Sequence, residues 1–183
     1  MIKQCDGGKS DHLPRDGRPP GLLLVSLAGR AAGSARLPGE IPHYPGLNRD
    51  PLETFLPKVL TSHVFDHETA LVGHSGGAAL VLAILEHIET RVAQAILVAG
   101  YSTPPNTSDE PVLQATYDWD RIRTHVRDIA FINSIRDPYG CDAEQGRRLL
   151  ERLGGTQIVR DEGHFGDGDD PYPRFELLEK LID

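Results

Sequence analysis

The chain has 183 residues, and its 19 lysines and arginines against 27 aspartates and glutamates give a net charge of −8 at pH 7. This length fits one domain better than two, and 39% hydrophobic with 25% charged residues is a globular composition. The acidic balance disfavours nucleic acid and anionic membrane surfaces as partners, since both need a basic face. Two cysteines are too few for a disulfide framework, and no signal peptide or membrane-spanning stretch is visible, which predicts a cytoplasmic protein.

The first part of the chain is unlike the rest. Residues 1–20 combine glycine, proline and scattered charges without helical or strand periodicity, so we predict a flexible tail there. A single domain is expected over residues 21–183. Within it, the apolar run at 22–27 predicts a buried strand, which a loop of small residues follows at 28–34.

From residue 51 onward the hydrophobic pattern becomes regular. Apolar residues at helical spacing predict helices at 52–60, 76–88, 141–153 and 175–182. Short apolar runs predict strands at 69–73, 94–99, 128–133 and 156–159. Strands that are apolar throughout and alternate with helices are typical of a parallel sheet covered on both faces. The predicted fold class is therefore α/β, as a three-layer α/β/α domain with a mostly parallel sheet.

A long polar segment at 101–118 separates the strand at 94–99 from the helix that follows it. Loops of this length in compact domains are usually lids, binding loops or disordered segments. We expect this one to shape a substrate pocket.

The most informative motif is G-x-S-x-G at residues 73–77, between a predicted strand and a predicted helix. In that context it predicts a nucleophile elbow with Ser75 at its apex. Gly73, Gly76 and Gly77 would let strand and helix approach closely, and the Gly76 N–H would donate to an oxyanion at the helix N-terminus. His74 occupies the variable position of the motif and is expected to pack or cap. The alternative is a glycine-rich turn that carries a serine by chance.

A nucleophilic serine needs a base and an orienting acid. Asp137 and His164 each follow a predicted strand, in the chain order Ser, Asp, His that this motif accompanies. All three would meet at the carboxyl edge of the sheet, where open α/β sheets place their ligands. Asp142 is a rival to Asp137, but it is better placed in the first turn of the next helix.

No metal site or cofactor is predicted. The acidic cluster at 167–170 does not have the spacing of a calcium loop, so a solvated surface loop is the better interpretation. Cys141 has no basic neighbour in the sequence, and we do not expect a reactive thiolate there.

Residues from about 66 to the C-terminus resemble the small serine hydrolases of the retinoblastoma-binding protein 9 and YdeN type. The similarity extends beyond the motif around Ser75 to segments at 43–47, 95–101, 117–122, 134–138 and 162–165. It implies an α/β-hydrolase fold without a cofactor. It also implies Ser75, Asp137 and His164 as nucleophile, acid and base in the cleavage of small esters or related acyl substrates.

The N-terminal part departs from the pattern of that family, in which a first strand leads into a glycine-rich loop that supplies a second oxyanion N–H. We interpret residues 22–27 and the Ala28-Gly29 loop as the counterparts of that strand and loop. Only about sixteen residues then separate Gly29 from Pro45, too few for a further helix and strand. One strand and one helix are therefore expected to be missing or replaced, through divergence or through a truncated or mis-spliced gene model. A catalytically impaired, α/β-hydrolase-like binding protein is the alternative to an active hydrolase.

Overall fold

This computed structural model describes residues 22–26, 39–40, 44, 46–47, 49–106, 109–166 and 175–182, the first two ranges for their backbone alone. The predicted flexible tail at 1–20, the small-residue loop at 28–34 and the acidic cluster at 167–170 lie outside the described residues.

The described strands form one six-stranded sheet in the order β2-β1-β3-β4-β5-β6. Their bounds are β1 Leu22–Ser26, β2 Gly39–Glu40, β3 Thr69–His74, β4 Val92–Val98, β5 Val126–Ser134 and β6 Thr156–Arg160. Strands β3 to β6 are parallel to one another, whereas β1 is antiparallel to both of its neighbours. The α/β class with a mostly parallel sheet is therefore confirmed.

Four of the five helices in the described part of the chain correspond to predicted ranges, with one difference near the start, whereas the helix at Trp119–Thr124 follows the 101–118 segment and had no predicted range. Their bounds are α1 Leu56–Ser62, α2 Gly76–His87, α3 Trp119–Thr124, α4 Ala143–Leu153 and α5 Glu176–Leu181. The single helix predicted at 52–60 is divided into a 3₁₀ turn at Leu52–Thr54 and α1. Pro57 lies in the first turn of α1, where its missing N–H costs no helical hydrogen bond, so the α-helix begins there.

Two apolar layers cover the sheet because successive side chains of a strand point to opposite faces. Leu71, Leu97 and Phe131 pack with buried residues of α1, α2, α3 and α4. Val72 and Ile132 belong to the second layer, against which residues of α5 are packed. None of the helices among the described residues is long and apolar enough to cross a membrane.

The direction of β1 is opposite to the one that our interpretation of residues 22–27 requires. Leu22 is paired with Gly73 and Ser26 with Thr69, so the chain enters β1 at the Ser75 edge of the sheet and leaves it at the other edge. Four residue steps of a strand span about 13 Å. An oxyanion loop that directly follows a strand needs the strand to end at the Ser75 edge, and β1 ends at the other edge; the Ala28-Gly29 loop itself lies outside the described residues. A strand's hydrophobic pattern is the same in either direction, and the sequence could not reveal this.

Candidate active site

Ser75 lies in the turn that joins β3 to α2, with φ 55° and ψ −122°. Residues other than glycine rarely adopt such positive φ values, and they keep them only where the surroundings hold the backbone. Here the Ser75 N–H donates to the Val98 carbonyl at 2.9 Å, and the Ser75 carbonyl accepts from the Ala78 N–H at 2.9 Å. These bonds fix the turn to the neighbouring strand and to the first turn of α2.

Gly73 shows why the turn needs small residues. A Cβ atom at this position would lie 2.4 Å from the Gly77 carbonyl oxygen and 2.6 Å from the Ala78 nitrogen. The end of β3 and the start of α2 therefore touch backbone to backbone. Because the first N–H groups of a helix have no intrahelical acceptor, the N–H of Gly76 is available beside Ser75 for a developing negative charge.

Asp137 and His164 are joined by a hydrogen bond of 2.7 Å from His164 Nδ1 to Asp137 Oδ2. Their side chains are 0% and 6% exposed, respectively. The other carboxylate oxygen, Oδ1, accepts from the N–H groups of Tyr139 at 2.9 Å and Cys141 at 3.3 Å. With its proton on Nδ1, the neutral imidazole keeps its lone pair on Nε2, the nitrogen that can accept a proton.

The structure brings Asp137, and not its rival Asp142, to the histidine. Asp142 is the N-cap of α4, and its carboxylate accepts from the N–H groups of Glu144 at 3.0 Å and Gln145 at 3.2 Å. Those backbone groups begin the helix and lack intrahelical acceptors, so the Asp142 carboxylate is already used in stabilising α4.

The loops that carry Asp137 and His164 are tied together by Ser134, a buried residue at the end of β5. Its hydroxyl donates to the Glu162 carbonyl and accepts from the N–H groups of Glu162 at 3.0 Å and Arg136 at 3.1 Å. Our sequence reasoning missed Ser134. A buried polar residue at the end of an apolar strand is the signal that could have found it.

Two aromatic neighbours hold the His164 ring. His74 Nε2 donates to the His164 carbonyl at 2.8 Å, and the two rings lie 4.7 Å apart between centroids. The Tyr139 ring meets His164 edge-on at 4.8 Å. His74 therefore links the Ser75 turn to the His164 loop. Sequence reasoning missed Tyr139, whose proximity to Asp137 in the chain was the available signal.

Ser75, Asp137 and His164 follow the carboxyl ends of β3, β5 and β6, at one edge of the sheet. In the part of the chain that the structure describes, no hydrogen bond joins the Ser75 hydroxyl to His164. Such contacts are often long in free enzymes and tighten when substrate binds.

The described part of the 101–118 segment is anchored to the rest of the domain at several points, while a number of its residues are exposed. Tyr101 is buried, and its hydroxyl donates to Glu110 Oε2 at 2.9 Å. Burial raises the pKa of the Glu110 carboxyl above its usual value. Asn106 donates to the Tyr139 carbonyl at 2.6 Å. This segment therefore supports the loop that carries Asp137.

Cys141 lies beside the pair formed by Asp137 and His164. One ligand-type atom of each of the three residues lies within 4.8 Å of the other two, and Cys141 is 2% exposed. Burial, followed by the nearby Asp137 carboxylate, raises the pKa of the Cys141 thiol, so the thiol is protonated. Sequence reasoning missed this neighbourhood, because the spacing of residues 137, 141 and 164 matches no metal-ligand motif.

A cavity of about 460 Å³ lies at the other end of the strands, away from Ser75. It is bordered by the starts of β5 and β6 and by basic side chains, among them Arg91, Arg127 and Lys180. Its position at the amino ends of the parallel strands separates it from the candidate active site.

Comparisons with known proteins identify the family and the fold of the chain. A family model described as serine hydrolase matches residues 54–182. The crystal structure of the ydeN gene product from B. subtilis is 25% identical, with a TM-score of 0.66, over 73% of this chain and 75% of its own. A Lactobacillus plantarum WCFS1 protein assigned as a cell surface hydrolase is 13% identical, with a TM-score of 0.40, over 81% and 71% of the two chains. No curated protein gives a significant match. Because the family model spans more than half of the sequence, the chain belongs to the serine hydrolase family and has an α/β-hydrolase type of fold.

Proposed function

We propose that the protein is an active hydrolase that cleaves small esters or related acyl compounds through a catalytic triad of Ser75, Asp137 and His164. The observation that carries this proposal is the buried 2.7 Å hydrogen bond between Asp137 and His164. It orients a neutral imidazole at the sheet edge where Ser75 occupies a strained strand-to-helix turn. The family match supports a hydrolase, and this pair is what supports the particular triad.

In the first half of the proposed reaction, Ser75 Oγ attacks the carbonyl carbon of the substrate while its proton passes to His164 Nε2. Asp137 stabilises the imidazolium that forms and keeps the ring oriented. The negative charge on the substrate oxygen is stabilised by the Gly76 N–H at the start of α2. When the tetrahedral intermediate collapses, the leaving alcohol takes the proton from Nε2, and the acyl group stays on Ser75.

In the second half, a water molecule gives a proton to His164 Nε2 and attacks the acyl carbonyl. The new tetrahedral intermediate expels Ser75 Oγ, which takes the proton back from His164, and a carboxylic acid is released.

The surroundings of His164 support an apolar acyl group. Tyr139 is 41% exposed while its ring contacts His164, and Ile135 is 59% exposed in the same loop. Exposed apolar side chains beside a reacting group are suited to contact with the acyl chain. In the proposal, the 101–118 segment also contributes to the surface that contacts the acyl chain, since Asn106 is hydrogen-bonded to the Tyr139 backbone.

The hydrolysis of p-nitrophenyl acetate, butyrate and octanoate tests the proposal. We expect turnover with a pre-steady-state burst, since an acyl-enzyme intermediate forms before it is hydrolysed. Ser75→Ala should lower kcat by at least about 10⁴-fold. Ser62→Ala, which alters an exposed serine at the end of α1, is the matched control and should retain the wild-type rate. A folded protein that hydrolyses none of the esters, or a Ser75→Ala variant as fast as wild type, would contradict the proposal.

The direction of β1 favours a second candidate function, in which the protein binds an acyl compound without hydrolysing it. The chain leaves β1 at the edge opposite Ser75, so the second oxyanion donor expected after this strand is not supported. The loss of one such donor typically costs about 10²–10³ in rate. This candidate predicts thermal stabilisation by carboxylic acids or esters with no ester hydrolysis, whereas the first predicts both.

A further inference from the structure

The protein carries a thiol at its candidate triad that the proposed reaction does not use. Cys141 follows the Asp137 loop, and its own N–H donates to Asp137 Oδ1 at 3.3 Å. The ligand atoms of Asp137, Cys141 and His164 all lie within 4.8 Å of one another, and all three side chains are almost fully buried. A carboxylate, a thiol and an imidazole therefore converge on one point.

This donor set has the chemistry of a site for zinc or a related thiophilic cation. Cysteine sulfur, histidine nitrogen and carboxylate oxygen bind zinc at about 2.0–2.3 Å, which places neighbouring ligand atoms roughly 3.3–3.8 Å apart in a tetrahedron. The His164–Asp137 contact of 2.7 Å must open somewhat, while the other two atom pairs must close by at most roughly 1.0–1.5 Å from the 4.8 Å limit. Rotations of side chains suffice for movements of that size.

We infer that Asp137, Cys141 and His164 form an inhibitory site for Zn²⁺, which would take the place of the His164 Nδ1 proton. The binding of the ion does not depend on the proposed function, whereas the inhibition rests on the proposed function of the triad. The site is thus a means of switching the hydrolase off and not a place for a resident cofactor.

The proton and charge balance explains why the ion would inhibit. The Cys141 thiol loses its proton to solvent as the zinc–sulfur bond forms, so one proton is released for each ion bound. The proton of His164 moves from Nδ1 to Nε2, because Nδ1 now coordinates the metal. The net charge of the site changes from −1 to 0, since the ion brings +2 and the thiolate adds −1. With a proton on Nε2, His164 cannot accept the proton of Ser75.

The site is also selective in its chemistry. Mg²⁺ and Ca²⁺ prefer sets of oxygen ligands, and they gain little from a thiol and an imidazole. Zn²⁺ and Cd²⁺ should therefore inhibit at concentrations where Mg²⁺ has no effect.

Equilibrium dialysis of the full-length protein with Zn²⁺, in the presence of a phosphine reductant, measures binding without any substrate. We expect one tightly held ion per chain. Cys141→Ser should weaken binding by about 100-fold or more because it removes the sulfur ligand. His164→Ala, which removes a different ligand, should do the same, so that misfolding of one variant does not decide the result. Cys5→Ser alters the other cysteine of the chain and is the matched control, with binding expected to stay as in wild type.

Co²⁺ gives an independent signature. A thiolate-to-cobalt charge-transfer band in the near ultraviolet should be present in wild type and Cys5→Ser, and absent in Cys141→Ser. Zinc binding that is unchanged in Cys141→Ser, or a wild-type protein that binds no zinc, would overturn the site.

The labelling of Ser75 by a fluorophosphonate in metal-free and zinc-containing buffer separates the two proposals. No labelling of folded, metal-free protein would contradict the proposed function and leave the dialysis result as the test of the site. Labelling that proceeds at the same rate with and without bound zinc would overturn the inhibitory role alone.

Discussion

The two sides of the candidate active site are held in different ways. On one side, Ser75 is positioned by backbone contacts: β3 and α2 touch at Gly73 and Gly77, and the Ser75 N–H is bonded to β4. On the other side, Asp137 and His164 lie on loops that are held by side-chain hydrogen bonds, with Ser134 between the loops. Steric contacts tolerate no added volume, whereas hydrogen bonds fail when a single donor or acceptor is lost. The two sides should therefore respond to different substitutions.

The largest expected effect comes from the hydrogen-bonded side. Asp137→Asn keeps the size of the side chain but no longer favours the His164 tautomer with its proton on Nδ1, and we expect kcat to fall by about 10⁴-fold with little change in fold. Steady-state hydrolysis of p-nitrophenyl butyrate measures kcat. Asp142→Asn is the matched control, because asparagine caps a helix as well as aspartate does. Equal losses in the two variants would show that Asp137 has no special role.

On the Ser75 side, where the backbone segments touch, substitutions should act by lowering the stability of the fold. Gly73→Ala places a methyl group 2.4 Å from the Gly77 carbonyl oxygen, which should lower the free energy of unfolding by about 3 kcal/mol and displace Ser75. Urea denaturation followed by circular dichroism measures the first effect. At Gly163 a Cβ would meet nothing within 4 Å, so Gly163→Ala is the control and should unfold like wild type. If both variants were as stable as wild type, the backbone contact would not hold the turn.

His74 connects the two sides and should have an intermediate effect. His74→Phe retains a ring against His164 but cannot donate to the His164 carbonyl. We expect kcat to fall by about tenfold, the equivalent of one ordinary hydrogen bond, with KM nearly unchanged. Steady-state kinetics with a single ester give kcat and KM separately. A wild-type kcat in His74→Phe would mean that the ring contact alone positions the loop.

The smallest effect is expected in the 101–118 segment that supports the Asp137 loop. Burial raises the pKa of Glu110, so the folded state holds this proton more tightly than the unfolded chain does. The contribution of Glu110 to stability is then greatest below its ordinary pKa of 4.5 and declines as the pH rises from there toward the raised value. Glu110→Gln still accepts from the Tyr101 hydroxyl and should be more stable than wild type at pH 7, but not at pH 4. Urea denaturation at the two pH values tests the sign, and a difference that does not depend on pH would contradict it.

The serine side of the site could be read from the sequence because its parts are contiguous. Five residues, 73–77, contain both the glycines that allow close packing and the serine, and the flanking periodicity locates them between a strand and a helix. The preference for Asp137 over Asp142 was also accessible, since the end of a strand and the start of a helix are local features.

Features that depend on contacts between distant segments could not be predicted from the sequence. The direction of β1 is decided by its pairing with β3, and a continuous run of apolar residues does not encode it. Ser134 joins two loops 28 residues apart, and Cys141 becomes a neighbour of His164 only after both loops fold over the sheet edge. A local pattern can mark Ser134 as a polar residue at the end of an apolar strand, but it does not show which distant loop such a residue contacts.

The proposed function depends on Ser75 being a nucleophile that His164 and Asp137 activate. Its most direct test is the reaction of the metal-free, full-length protein with a fluorophosphonate, followed by mass spectrometry of the intact chain and its peptides. We expect one adduct per chain, located on Ser75, and a labelling rate that falls sharply in Asp137→Asn but not in Asp142→Asn. A folded protein that forms no adduct, or forms one on another residue, would contradict it.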